Sequence, residues 1–173
     1  MKIFLETERL ILREMLLTDA EGMYALDSDP EVHRYLGNRP VKDMAQIIEV
    51  IKFVRQQYVE NGIGRWAILD RETQEFVGWA GLKLVTEQIN GHINYHDLGY
   101  RLRKKYWGQG IATECAKACL DYGFETLGLT EIYAAAHIDN IASNKILTNL
   151  GFHFIETFDY DGSMHNWYNI VKE

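Results

Sequence analysis

One stretch, Tyr95 to Gly128, constrains the fold more than any other. It opens in two-residue alternation, with Leu98, Tyr100 and Leu102 on one face of a strand and Asp97, Gly99 and Arg101 on the other. It runs through Arg103-Lys104-Lys105-Tyr106-Trp107 and Gly108-Gln109-Gly110 into a helix predicted from about Gly110 to Leu127. Ile111, Cys115, Ala118 and Tyr122 form the apolar stripe of that helix, and Gly128 is its stop. The first turn of a helix leaves about four N–H groups without internal partners. Two glycines bring a ligand close to those groups, so the loop suits a pyrophosphate. It also suits a plain tight turn ahead of a helix, and the spacing alone leaves both readings open.

Two other phosphate loops fit poorly. A Walker loop ends in Gly-Lys-Ser/Thr, whereas Ile111 and Ala112 follow Gly110. A dinucleotide fingerprint needs a third Gly or Ala where Thr113 stands, and an acidic residue about 20 residues on at a strand end. Asp121 and Glu125 fall inside the predicted helix instead.

Around this unit the chain reads as strands and helices in mixed order. Arg9 to Arg13 alternates as a strand, and Thr18 or Asp19 caps a helix. Asp29-Pro30 starts a helical turn, and Asp43 caps a long helix with Ile47, Ile51, Val54 and Tyr58 at helical spacing up to Asn61-Gly62. Trp66–Leu69 and Phe76–Val85 are strands, the second apolar on both faces as in a central strand. Ile132–His137 is a strand, and Asp139 or Asn140 caps a short helix that stops at Gly151. Phe152–Phe158 and Trp167–Val171 close the chain as an antiparallel pair, with Asp161-Gly162 as a turn. With 173 residues, 2 Pro and no repeat, residues 1–173 are expected to be a single domain.

Charge narrows the partners. Eighteen Lys and Arg against twenty-five Asp and Glu give a net charge of −7. A nucleic-acid binder carries a basic stripe. The only basic cluster, Arg101 with Arg103 to Lys105, suits a small anion better than a polymer, so no nucleic-acid partner is expected. Glu6, Glu8 and Arg9 interrupt any leader-like apolar run, and no stretch approaches the ~18 apolar residues of a membrane span. Cys115 and Cys119, four apart on one helix face, read as small buried residues rather than metal ligands. No metal, no membrane and a reducing, cytoplasmic setting are the expectations.

The loop and three further segments together resemble a GNAT-superfamily N-acetyltransferase, and within it the Rim-type branch of ribosomal-protein N-terminal acetyltransferases. That family's Arg/Gln-x-x-Gly-x-Gly/Ala signature falls on Trp107-Gly108-Gln109-Gly110-Ile111-Ala112, with Trp107 in place of Arg or Gln. Thr7 to Arg13 is similar to the branch's opening strand, and Asp97-Leu98-Gly99-Tyr100 to its acidic-x-Gly-Tyr strand. Asp139 to Ser143 followed by Asn149-Leu150-Gly151-Phe152 is similar to its Asn-x-x-Ser…Gly-Phe segment. The resemblance implies an α/β fold of the α+β type. Its mixed, mostly antiparallel twisted sheet is flanked by helices and splayed between the strands at Tyr95–Arg103 and Ile132–His137.

It also implies acetyl-CoA as co-substrate and an amine as acceptor, joined by direct attack in a ternary complex. The branch favours a protein N-terminal α-amine. An amino acid, polyamine or aminoglycoside is the alternative, as is an acyl-CoA-binding sensor without turnover. A homodimer is an open expectation.

Leu102, Arg103, Trp107, Gly108, Gln109, Gly110, Ile111, Ala112, Asn140 and Ser143 are the implied cofactor-binding positions. Asp97 is the candidate base, acting through water, or else simply a strand residue. Gly99 is expected to leave room for substrate and to mark a strand irregularity that frees an N–H for the thioester oxygen. Leu147 stands where many family members carry an acidic Tyr, which leaves Ser143, or direct release of a solvated thiolate. Asn140 is expected at the pantetheine arm or as a helix cap.

Overall fold

The computed structural model describes residues 2–173. Eight strands form one sheet: β1 (Ile3–Glu6), β2 (Leu10–Arg13), β3 (Trp66–Asp70), β4 (Phe76–Val85), β5 (Tyr95–Leu102), β6 (Glu131–His137), β7 (His153–Tyr160) and β8 (Ser163–Val171). Their order across the sheet is β1-β2-β3-β4-β5-β6-β8-β7. Every neighbouring pair is antiparallel except β5 and β6, which run parallel and share a single paired position, Asp97 with Tyr133. Beyond that pair the two strands part. The expected mixed, twisted, splayed sheet is therefore the fold.

The helices cover both faces because the central strands β3 and β4 are buried on both. On one side of β3, Trp66 and Ile68 pack with Leu82, Leu98, Ile111, Cys115 and Leu147. These residues bring α3 (Ile111–Asp121) and α4 (Ile141–Asn149) onto that face. On the other side, Ala67 and Leu69 meet Met23, Leu26, Ile47 and Ile51 of α1 (Ala20–Asp27) and α2 (Met44–Asn61). Asp43 caps α2 by accepting the Gln46 N–H at 2.9 Å, and Gly62 ends it with φ +72°. Asn140, not Asp139, caps α4, accepting the Ser143 N–H at 3.2 Å.

Three differences from the sequence reading have local causes. β1 is too short and too exposed at its ends to show a period. The helix predicted to Leu127 stops being α-helical at Asp121 and widens into a π turn over Tyr122–Thr126. Gly123 in that turn packs so tightly that a Cβ there would meet Leu82 Cδ1 at 2.7 Å and Ile132 Cδ1 at 2.9 Å. The buried stripe of α3 is completed by Ala116, Cys119 and Leu120, while Ala118 and Tyr122 are only half-buried.

Arg13 and Asp19 tie β2 to the segment before α1. Asp19 accepts two bonds from Arg13, at 2.8 and 2.7 Å, and one from the Leu16 N–H at 2.8 Å. Both side chains are under one-tenth exposed. Removing one partner strands a buried charge, which costs about 3–5 kcal/mol, whereas removing both is far milder. Asp19→Ala is accordingly expected to lose about 3–5 kcal/mol in urea denaturation, and the double variant Arg13→Met, Asp19→Leu to recover most of it.

Candidate functional site

The divergence of β5 from β6 opens a cavity of about 1360 Å³ that runs from the glycine loop to the face covered by α1 and α2. At the loop end, Gly108 and Gly110 have φ +73° and +76°, a left-handed conformation that costs other residues energy. They turn the chain so that the N–H groups from Gly108 through Thr113 have no acceptor among the described residues. The first N–H to bond within the helix is that of Glu114, to Gly110 O at 3.1 Å. A row of unpaired N–H groups at a helix start is a site for a phosphate anion.

The loop is held from behind by the N-terminal strand segment. Arg9 donates to Gln109 O at 2.9 Å and pairs with Glu114 at 2.7 Å, and Thr7 donates to the same carboxylate at 2.5 Å. Trp107, at the departed signature position, donates its indole N–H to Leu102 O at 2.9 Å.

Of the expected cofactor positions, Leu102, Trp107, Gly108, Gly110, Ile111 and Ala112 line the cavity, as do Asn140 and Ser143 across from them. Arg103 and Gln109 do not. Arg103 donates to Phe76 O at 3.1 Å and faces Glu75 at 3.4 Å, and the Gln109 side chain turns back to Lys105 O at 3.0 Å. The rest of the basic cluster is also matched with carboxylates: Arg101 with Asp27 at 2.7 Å, Lys105 with Glu75 at 2.6 Å, and Lys104 with Glu31. Nearness in sequence put these cations together, but not the acids that fold against them.

At the middle of β5 the structure corrects the reading of Gly99. Its open side is filled by Arg65, whose Nη2 would lie 2.6 Å from a Cβ there. No register shift occurs at Gly99, which pairs regularly with Gly81. The strand edge is released by the parting of β6 instead. Arg65 donates to Gly81 O at 2.5 Å, Asp97 O at 2.7 Å and Asp97 Oδ2 at 2.6 Å. Among the described residues Oδ1 of Asp97 has no donor. Trp79 lies between Arg65 and Arg101, whose guanidinium carbons are 5.3 and 5.0 Å from its ring centre.

On the opposite face of β5, the Tyr100 hydroxyl lies 2.9 Å from Ser143 Oγ. Burial pushes the Tyr100 phenol up to about 12, while its bond to Ser143 pulls the other way. It is therefore a neutral donor at ordinary pH. Leu147 is fully buried in the core. Sequence reasoning missed Tyr100 because its neighbours at i±2 are Leu98 and Leu102, which make it look like one more core residue. The available signal was its hydroxyl on a face otherwise wholly apolar.

His137 and His165 also line the cavity. Among the described residues there is no group of three or more His, Cys, Asp or Glu placed to hold a metal ion, and no helix long and apolar enough to cross a membrane.

This geometry has clear relatives. Residues 9–153 match the acetyltransferase (GNAT) domain family. An uncharacterized N-acetyltransferase of Bacillus licheniformis, p20, is 36% identical over 148 residues, covering 86% of this chain and 81% of its own. The FsC-acetyl coenzyme A-N(2)-transacetylase of Aspergillus fumigatus is 32% identical over 158 residues, covering 89% of this chain and 66% of its own. The solved structure of RimL, a ribosomal L7/L12 alpha-N-protein acetyltransferase in complex with coenzyme A, superposes with a TM-score of 0.83 at 17% identity, covering 98% of each chain. That last likeness concerns the fold. The matched domain, the relatives and the splayed sheet with its amide-lined loop agree, and the chain belongs to the GNAT acetyltransferases, which move an acetyl group from acetyl-CoA to an amine.

Proposed function

We propose that the chain acetylates a primary α-amine by direct attack on acetyl-CoA in a ternary complex, with the pyrophosphate on the amides of residues 108–113. The row of unpaired N–H groups facing the β5–β6 opening carries this reading. Leu102, Trp107 and Asn140 would flank the pantetheine arm. The amine attacks the thioester carbon, the C–S bond breaks, and the amine's proton passes through water to Asp97 Oδ1. The β5 edge freed by the parting of β6 supplies an N–H for the oxygen as it gains charge.

Tyr100 and Ser143 serve the leaving sulfur. A thiol titrates near 8.5, so full transfer of a proton from a phenol at about 12 is about 5 kcal/mol uphill. The pair therefore stabilises the thiolate by donating a hydrogen bond, and solvent supplies the proton afterwards.

For the acceptor, charge separates the alternatives. The cavity is lined by Arg34, Arg65, Lys83, Arg101 and Lys145 against Asp27, Glu31 and Asp97, a cationic balance inside an acidic chain. That lining repels a polyamine. The α-amine of a protein N-terminus, as in the Rim-type branch, or of an amino acid bears no such conflict. A homodimer is part of the same Rim-type proposal.

Three measurements test this. Calorimetric titration should give acetyl-CoA binding that Gly110→Trp abolishes; absence of binding to the natural chain would refute the reading. Tyr100→Phe should lower kcat about tenfold to a hundredfold with little change in acetyl-CoA affinity, and Ser143→Ala added to it should cost little more, because the two act as one unit. Burial pushes the Cys115 thiol up to about 12 and raises the Cys119 thiol well above its ordinary value. Neither is a thiolate at neutral pH, so Cys115→Ala should keep its turnover if no covalent acyl-enzyme forms.

A further inference from the structure

Among the described residues Arg34, Lys83 and Lys145 line the cavity without a carboxylate partner; Arg34 and Lys145 are exposed, and Lys83 is the half-buried cation left over. Asp97, its cross-strand neighbour on β5, gives its Oδ2 to Arg65 at 2.6 Å. Asp27 is taken by Arg101 at 2.7 Å, and His33 closes on the same carboxylate oxygen at 3.2 Å. Among the described residues no carboxylate lies within ion-pair distance of the Lys83 ammonium. Glu87, on the exposed turn beyond β4, acts on it only through space. Burial is the chief cause that lowers the Lys83 pKa from the ordinary lysine value, with repulsion from Arg65 next. A half-buried cation that has lost hydration without gaining a partner is costly to keep. It is retained most simply where a ligand supplies the missing charge.

Acetyl-CoA is a poor source of that charge. Lys83 sits opposite Asp97, and the phosphate loop begins after Leu102, five residues along β5. At roughly 3.3 Å per residue that is about 17 Å, farther than a lysine side chain reaches. The loop's own amides already face the phosphates. Lys83 instead looks onto the α1–α2 face, where the cavity mouth is walled by Leu36, Val50 and Phe53, all exposed apolar side chains.

We infer that Lys83 is the anchor for a carboxylate on the acceptor, so that the natural substrate is an amine with a carboxylate on the same residue and an apolar remainder against Leu36, Val50 and Phe53. The inference rests on the acetyltransferase reading above. Two sources carry this chemistry: a free apolar amino acid, and a protein N-terminus that begins with Asp or Glu and continues with an apolar residue.

The test compares acceptors in matched pairs by thiol release from acetyl-CoA. L-Leucine and L-phenylalanine are set against their amides, and peptides beginning with Asp or Glu against those beginning with Asn or Gln. The natural chain should favour the carboxylate member at least tenfold in kcat/KM, in the first pairs if the source is a free amino acid and in the second if it is a protein. Lys83→Met keeps the length and apolar stem of the side chain, and should bring that ratio to near one by raising KM for the acid. Lys83→Arg should restore most of it. Turnover of both members without preference in either set, or an equal loss of kcat on both in Lys83→Met, would overturn the anchor while leaving the acetyltransferase reading intact. No turnover of any amine, including a neutral peptide, would overturn both.

Discussion

The fold turns on a strand pair that is barely made. β5 and β6 lie side by side and parallel, yet register at one position only, Asp97 with Tyr133. A continuous ladder there would leave no opening, because neighbouring strands sit only about 4.8 Å apart. One that never formed would split the sheet in two. The closed end is secured by packing: Tyr95, Tyr133 and Trp167 meet with ring centres 5.1–5.4 Å apart. On the other flank, Arg65 joins β4 and β5 through carbonyls of both strands. The opening is thus a built feature with a rigid hinge line on each side.

Placement of the phosphate loop depends on contacts distant in sequence. Glu114, in the first turn of α3, takes bonds from Thr7 and Arg9, and Arg9 also holds Gln109 O. Arg9 is 44% exposed and Glu114 21%, so this pair adds little to stability. Its effect is geometric. It fixes the loop carbonyl that faces away from the cavity, and so orients the amides that face in. This explains in physical terms why a Thr-Glu-Arg opening and a Thr-Glu after the glycines occur together in one chain.

The parts of the fold that were legible in the sequence are those written in period and punctuation. β4 and β5 begin and end where a doubly apolar run and two-residue alternation placed them, α2 lies between its Asp43 cap and Gly62, and the Asp161-Gly162 turn joins β7 to β8. The amides of residues 108–113 were likewise legible, since two glycines before a helix say where the backbone is bare. What was not legible depends on partners that come from elsewhere in the chain. Nothing near Gly99 in sequence announces that Arg65 will occupy its open side. Nothing near Arg103 to Lys105 announces Glu75 and Glu31. Side-chain direction across a sheet is set by tertiary packing, so a cluster of cations in sequence becomes a set of separate ion pairs in space.

The same logic bears on the donor to the leaving sulfur. Leu147 is fully buried, and its environment of apolar side chains would leave a hydroxyl unpaired there at a cost of roughly 1–3 kcal/mol. A tyrosine cannot simply be restored at that position without repacking the base of α4. One turn earlier on the same helix, Ser143 points at β5, and Tyr100 comes up from the strand to meet it. A strand residue is a stiffer mount than one on a short helix, since β5 is paired with β4 along its whole length. The proposed donor therefore sits on the element that defines the cavity, and its hydroxyl keeps its distance from the loop amides fixed by the same strand. A donor on the strand in place of one on the helix would keep the proposed chemistry while leaving the helix position to the core.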